Sequence, residues 1–326
     1  MTLAMIASEM SPMVGAAARK LLAALPSVAE PIDYPAVKQA MDECVAALEA
    51  LGIVGDGNRL LSSEFWNVAG HRLAPGWLQN RARMKPRGYA GDHEMLARIY
   101  AGEVCDDPVG RHFDRYFQEQ AAPCAVRHRM RMIADWMAEG IRASDGPVKI
   151  VVVGSALAVE IRDGLLRLSP AERRRANVTL LDLDPAAIEF ARRQLEPLLA
   201  ADQLLASAEN LFRMPDRPQM AALLEGADLL FCPGLFDYLD DAAAAAMLRT
   251  FWERLAPSGR MWVFQFAQHN PTRTYMEWIG NWYLNYRTLE EFKSLALAAG
   301  LPPNKTTFGA EPLGINFFLA AEKPRD

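Results

Sequence analysis

The chain has 326 residues, a formal net charge of -5 and a pI near 5.7; that length suits one large or two modest domains, and the acidic balance argues against a protein built mainly to bind nucleic acid, whose phosphates reward a basic surface. Four widely spaced cysteines (Cys44, Cys105, Cys124, Cys232) include no C-x-x-C pair, so neither a metal site nor a disulfide framework is indicated, and reduced thiols in the cytoplasm are expected. No apolar run approaches the length of a membrane span and the N-terminus lacks the basic-then-apolar pattern of a signal peptide, so no membrane insertion is expected.

Roughly the first 140 residues are rich in Ala, Leu and Met with few β-branched runs, which predicts a helical domain over residues 1–143. An apolar helix near Leu3 to Met13 could pack on its own domain or on a second subunit, which leaves a homodimer open. PAVKQAMDECVAALEALGI has apolar residues at helical spacing and stops at Gly52, as a helix with a glycine C-cap does. In RMKPRGYAGDHEMLARIY, Pro86, Gly88 and Gly91 break any helix, while Lys85, Arg87, Tyr89, Asp92 and His93 crowd nine positions. Such a loop is either a lid that orders over a ligand or a helix connection with Asp92 as N-cap. The basic clusters Arg81, Arg83, Lys85, Arg87 and Arg127, Arg129, Arg131 read as solvated faces. A helix from Ala122 to Ile141 then leads through a Ser144-Asp145-Gly146-Pro147 turn into a second domain, residues 144–326.

That domain opens with the β-branched run Ile150 to Val153, suited to a parallel strand buried on both faces. Gly154, Ser155 and Ala156 let the chain turn tightly, so that a ligand can approach the backbone at a helix N-terminus. A second strand, Val178 to Leu181, delivers Asp182 or Asp184 to the carboxyl edge, where a carboxylate can accept both hydroxyls of a ribose; Pro185 starts the next helix. Together these parts favour a nucleoside site. The glycine pattern is not G-x-G-x-x-G, since Ala156 and Val159 stand near where further glycines would be, so a dinucleotide is disfavoured. Downstream come a strand (Asp228 to Cys232), a loop, a helix ending near Leu255, a turn in LAPSG (Leu255 to Gly259), another strand and the final run GINFFLAAEK.

From about Val148 to Glu322 this order resembles the class I S-adenosylmethionine-dependent methyltransferases. The resemblance implies an α/β fold, a Rossmann-like sheet with helices on both faces preceded by an all-helical region, and S-adenosylmethionine as cofactor. It places Gly154 and Ser155 beside the methionine moiety, Asp182 on the ribose with Asp184 just beyond, Glu209 and Asn210 at the adenine amino group, and Pro233, Gly234 and Leu235 beneath the cofactor and facing substrate. The family usually has an acid two residues before the first glycine; here that place is Val152, and Glu160 stands in the following helix to supply the carboxylate. KPRGYAGDHEML with TRTYMEWIGNWYLNYRT is similar to bacterial methyltransferases known as extracellular factor 3-hydroxypalmitic acid methyl ester biosynthesis proteins, which implies methyl transfer more firmly than a fatty-acid substrate and makes Tyr89 a cofactor contact and Arg87 a substrate contact.

Methyl transfer from a sulfonium is an in-line displacement in which positioning is most of the task. A carboxylate acceptor needs no base, whereas a hydroxyl, amine or phenol gains from one. His93, Tyr238, Asp237 and His269 are the candidates. Arg273 and Arg287 could hold an acceptor's carboxylate or phosphate, and Tyr275, Trp278, Trp282, Tyr283 and Tyr286 suit a core or an apolar substrate pocket equally. The expected activity is O-methylation of a carboxylate or hydroxyl on a small molecule, such as a hydroxy fatty acid or a secondary metabolite. N-methylation, an inactive binding protein and a nicotinamide oxidoreductase remain open.

Overall fold

A computed structural model describes residues 3–26 and 32–325. The chain forms two compact units, residues 1–124 with 270–284, and residues 125–269 with 285–326.

The first unit is helical, with α1 (Leu3–Ala24), α2 (Tyr34–Glu49), α3 (Arg59–Leu73), α4 (Trp77–Met84), α5 (His93–Ala101) and α6 (Gly110–Gln118). The spacing of Val37, Ala40, Met41, Cys44 and Leu48 buries one face of α2, and Gly52 adopts φ 69° beyond its end. Residues 270–284 return to this unit because a buried acid holds them there. Glu277 accepts from Gly55 N at 2.7 Å, Asn58 Nδ2 at 2.8 Å and Arg273 Nε at 2.7 Å. A buried carboxylate persists only when paired and hydrogen-bonded, so the segment is fastened at one point by both charge and geometry.

The second unit is a doubly wound α/β fold. Helix α7 (Ala121–Arg142) leads from the first unit into it, followed by β1 (Val148–Val153), α8 (Val159–Leu166), β2 (Ala176–Asp182), β3 (Leu204–Ala208), β4 (Ala227–Cys232), β5 (Leu255–Phe266), β6 (Thr306–Ala310) and β7 (Asn316–Glu322). The sheet order is β3-β2-β1-β4-β5-β7-β6; β1 to β5 are parallel and β7 runs antiparallel between β5 and β6. Side chains alternate across the sheet. Ile150, Val152, Leu229 and Phe231 meet Ile133, Met137 and Ile141 of α7 on one face, while Val151, Val153, Leu230 and Cys232 meet Leu248, Phe251, Phe292 and Leu295 on the other. Among the described residues, no helix is long and apolar enough to cross a membrane and no group of His, Cys, Asp or Glu is arranged to hold a metal ion.

Two sequence expectations differ from what is observed. The boundary expected between residues 143 and 144 lies instead at 124/125, with an excursion at 270–284, because the apolar stripe of α7 belongs to the sheet's core. The LAPSG turn was expected to separate a helix from a strand, yet it lies inside β5. There the register jumps between Ala227 opposite Leu255 and Leu229 opposite Arg260, and Ser258 takes φ 61°. The bulge requires a glycine, since a Cβ on Gly259 would stand 2.5 Å from the Ala227 carbonyl oxygen. Gly259→Ala is expected to destabilise the protein by about 1–3 kcal/mol, read as a lower urea midpoint. Gly146→Ala, whose methyl meets nothing within 4 Å, should cost nothing measurable; equal midpoints for the two variants would contradict the steric account.

Candidate functional site

The carboxyl ends of β1 and β2 are joined by backbone donors. Gly154 N and Ser155 N both donate to the Leu181 carbonyl oxygen, at 2.8 and 3.0 Å. Gly154, Ala156 and Ala158 all have left-handed backbone, with φ 75°, 43° and 50°. Only the first is a glycine, and a non-glycine residue in that region costs on the order of 1 kcal/mol, a kind of strain that concentrates at ligand sites. What holds Ala156 there is Asp182: its Oδ2 accepts from Ala156 N at 2.7 Å and its Oδ1 from Asp184 N at 3.0 Å. Burial raises the pKa of Asp182, opposed by those two N–H groups. Asp184 caps the helix Pro185–Leu195 through Ala186 N at 2.9 Å. Glu209 N donates to the Asp182 carbonyl at 2.7 Å, and Ser207 Oγ to Glu209 Oε1 at 2.8 Å; Asn210 is exposed just beyond.

After β4, Pro233 is buried, Gly234 is half-buried, and a short turn, Phe236–Tyr238, places Asp237 in the interior. Asp237 Oδ1 accepts from Phe266 N at 2.7 Å and Gln265 Nε2 at 3.0 Å. Burial pushes this acid up to about 6, against the pull of the Phe266 N–H and the charges of Arg129 and Arg287. Arg287, expected on a substrate anion, is a clasp instead: it donates to the Phe236 carbonyl at 3.1 Å, the Leu239 carbonyl at 2.6 Å, Asp241 at 3.0 Å and Gln265 Oε1. His269 is exposed, with Nε2 3.1 Å from the Gly314 carbonyl oxygen. Tyr238 and Tyr286 are half-buried.

The residue that sequence reading missed is Arg129. It was grouped with Arg127 and Arg131 as a solvated face, but only 5% of it is exposed, because it falls on the apolar stripe of α7 between Val126 and Ile133. That position on the stripe was the available signal. Its guanidinium lies 5.9 Å from the Phe264 ring centre, and a Cβ on Gly234 would be 3.8 Å from its Nη2. Its hydrogen bond, to Asn316 Oδ1, is long at 3.5 Å. Nearby, Glu160 in the first turn of α8 is 2% exposed, and its Oε2 has no hydrogen-bond partner; nor do the buried Ser155 Oγ and Asn316 Nδ2. Burial pushes Glu160 up to about 7, with its own backbone N–H and Arg129 opposing and Asp163 reinforcing the rise.

The remaining expected site residues belong to the first unit. Asp92 caps α5 by accepting from Met95 N at 2.9 Å and also pairs with Arg81, as the helix-connection reading requires. His93 is buried at the start of that helix, Tyr89 is half-buried, and Arg87 pairs with Glu94 at 2.8 Å. Arg273 is bound to Glu277. Tyr275 donates to Gln79 Oε1 at 2.7 Å and stacks on Phe117 at 5.4 Å, while Trp278 and Trp282 are buried, so much of the aromatic run is core.

No protein-family profile matches the sequence, and no curated protein matches it. Solved structures share the fold. A possible exported protein from Bordetella parapertussis is 18% identical with a TM-score of 0.58, the alignment covering 98% of this chain and 97% of that one. The CMeT domain of citrinin polyketide synthase is 14% identical with a TM-score of 0.51, over 98% and 90%. The CurJ carbon methyltransferase is 11% identical with a TM-score of 0.50, over 97% and 93%. At such identities the likeness concerns the fold alone.

A buried, ionised group that lacks a direct partner weakens the fold that holds it. Glu160 has a folded pKa of about 7, above its ordinary 4.5, so the folded state binds its proton more tightly than the unfolded chain and stability falls as pH rises from about 4.5 to 7. Glu160→Gln should therefore match the wild type in urea denaturation at pH 4 and exceed it by about 1–3 kcal/mol at pH 8. A variant no more stable at pH 8 than the wild type would mean that the acid is stabilised in a way the buried geometry does not provide.

Proposed function

We propose that the second unit binds S-adenosylmethionine across the carboxyl ends of β1, β2 and β3 and methylates an oxygen of a small-molecule acceptor. The observation that carries this reading is Asp182. It is a buried carboxylate at the end of β2, held by two backbone N–H groups and adjoining a strained turn whose backbone conformation it maintains. Ligands of open α/β sheets bind at this edge. The chain's residues fit the cofactor there: Asp182 suits the ribose hydroxyls, and the buried unpartnered atoms of Ser155 and Glu160 open polar positions at the end of β1. One of the structures named above that share this fold is a carbon methyltransferase.

When bound, the sulfonium supplies an electrophilic methyl group and a neutral thioether leaving group. The protein's share is to fix the acceptor in line and keep the pocket's shape. Asp237, Gln265 and Arg287 are bonded to one another and to the backbone after β4 and β5, so they set the loop geometry instead of moving a proton. A carboxylate acceptor, ionised before it binds, asks least of such a site, and methyl-ester formation is the reaction we favour over N-methylation. A hydroxyl acceptor would need Tyr238 or His269 within hydrogen-bond reach.

Calorimetry with S-adenosylmethionine, S-adenosylhomocysteine and NAD tests the reading. Micromolar binding of the two sulfur compounds and none of NAD is expected, with Asp182→Ala weakening both by roughly 10- to 100-fold, as loss of a charged hydrogen-bond acceptor does. Wild-type protein that binds neither sulfur compound would refute it.

A further inference from the structure

A cavity of about 300 Å³ lies on one face of β5, β7 and β6, lined by side chains that the carboxyl edge does not use. That volume is at the lower end of the range for small-molecule sites. The cavity is remote from Asp182, because Arg260 in its wall is level across the sheet with Leu229, Ile150 and Val178, four residues short of that acid and three strands away. Strand register sets its charges in a row. Arg260 of β5 is directly opposite Glu322 of β7, and the pairing of Thr306 with Ala321 brings Lys305, one residue before β6, level with Glu322 on the other side. Opposite charges so placed ordinarily attract across the strands. Here none of the three side chains makes a hydrogen bond or ion pair among the described residues. Arg260 lies instead over the Trp262 ring, 5.3 Å from its centre, and its Nη2 reaches α7, where a Cβ on Gly140 would stand 3.3 Å away. Phe231 and Trp136 hold that ring by stacking on it at 5.0 and 5.4 Å. A cation held over an aromatic face keeps its N–H groups for another partner.

We propose that Arg260 and Lys305 bind a phosphate group, free or carried on a small molecule, over β7. Adjacent strands are about 4.8 Å apart, so the two residues begin about 10 Å from each other with β7 between them. Their long side chains can reach one ligand there, because Ala320 of β7 is small and leaves the room between them open. Asn304, exposed on the rim, adds an amide donor. Two cations against one acid select an anion, and the acid raises the charge which that anion must carry. A carboxylate has a single charge and is filled by the guanidinium fork alone. A phosphate monoester carries about −1.5 to −2 at neutral pH and three free oxygens, enough for the fork and for the ammonium together. Glu322 opposes the anion and so limits its affinity. The site stands whether or not the carboxyl edge takes S-adenosylmethionine.

The amide NMR signals of Thr307 and Ala320 in the full chain report occupancy. Inorganic phosphate, phenyl phosphate and acetate are the probes, each titrated at neutral pH and constant ionic strength. Saturable shifts with a dissociation constant of about 1 mM or tighter are expected for a phosphate probe, and none for acetate. Equal or tighter binding of the inorganic ion identifies free phosphate as the ligand; tighter binding of phenyl phosphate identifies a phosphate monoester whose body lies along Ala320 and Trp262. Arg260→Gln and Lys305→Gln should each weaken binding roughly 10-fold or more, while Glu322→Gln should strengthen it roughly 3-fold. Lys305 and Glu322 are exposed, so their replacement leaves the fold intact even if that of Arg260 does not, and an otherwise unchanged spectrum verifies it. Shifts that do not saturate, acetate bound as tightly as phosphate, or an affinity that Lys305→Gln and Glu322→Gln leave unchanged would overturn the assignment.

Discussion

The hydrogen bond from Ala156 N to the Asp182 carboxylate is the contact on which the site depends. Gly154 has the conformational freedom to turn out of β1, but Ala156 and Ala158 do not, and both have left-handed backbone. A charged acceptor 2.7 Å from Ala156 N offsets that strain. In doing so it couples the ends of β1 and β2, and through Glu209 N and the Asp182 carbonyl the end of β3 as well. Parallel strands aligned by the sheet bring these three loops to one edge, and the carboxylate converts their proximity into fixed geometry.

Buried polar groups of the second unit differ in how far the fold satisfies them. Arg129, Glu160 and Asp237 are all nearly inaccessible, yet they are treated differently. Asp237 is satisfied by Phe266 N and Gln265, and Arg287 completes the network with its backbone acceptors. Such a network rigidifies the loops after β4 and β5. Arg129 and Glu160 are left with unused hydrogen-bonding capacity at the end of β1. Unused hydrogen-bonding capacity of that kind in the interior costs the fold stability.

Much of the second unit was legible because its signals are local. The run Ile150 to Val153 needs no partner to announce a buried strand, Gly52 by its freedom to take positive φ and Pro185 by its fixed φ mark a helix end and a helix start, and Asp92 caps α5 as its place before an apolar-periodic segment implies. Where reading failed, the deciding interaction was distant in sequence. Arg287 suits a substrate anion or a surface ion pair by its sequence alone, but carbonyls that bind it belong to Phe236 and Leu239, some fifty residues earlier. Tyr275 joins the core through Gln79 and Phe117, and LAPSG forms a bulge because of Ala227 across the sheet.

The sequence by itself determined the order of strands and helices in the second unit, the tight turn after β1 and the acid after β2. Each of these follows from the steric and hydropathic preferences of a few adjacent residues. Only the tertiary structure decided that α7 belongs to the sheet, that residues 270–284 rejoin the helical unit through Glu277, and that Arg129 is buried beside Glu160. A charge's environment is set by what packs against it from other elements. The stripe of α7 marks Arg129 as inward-facing, but which acids surround it is therefore not a property of its neighbours in the chain.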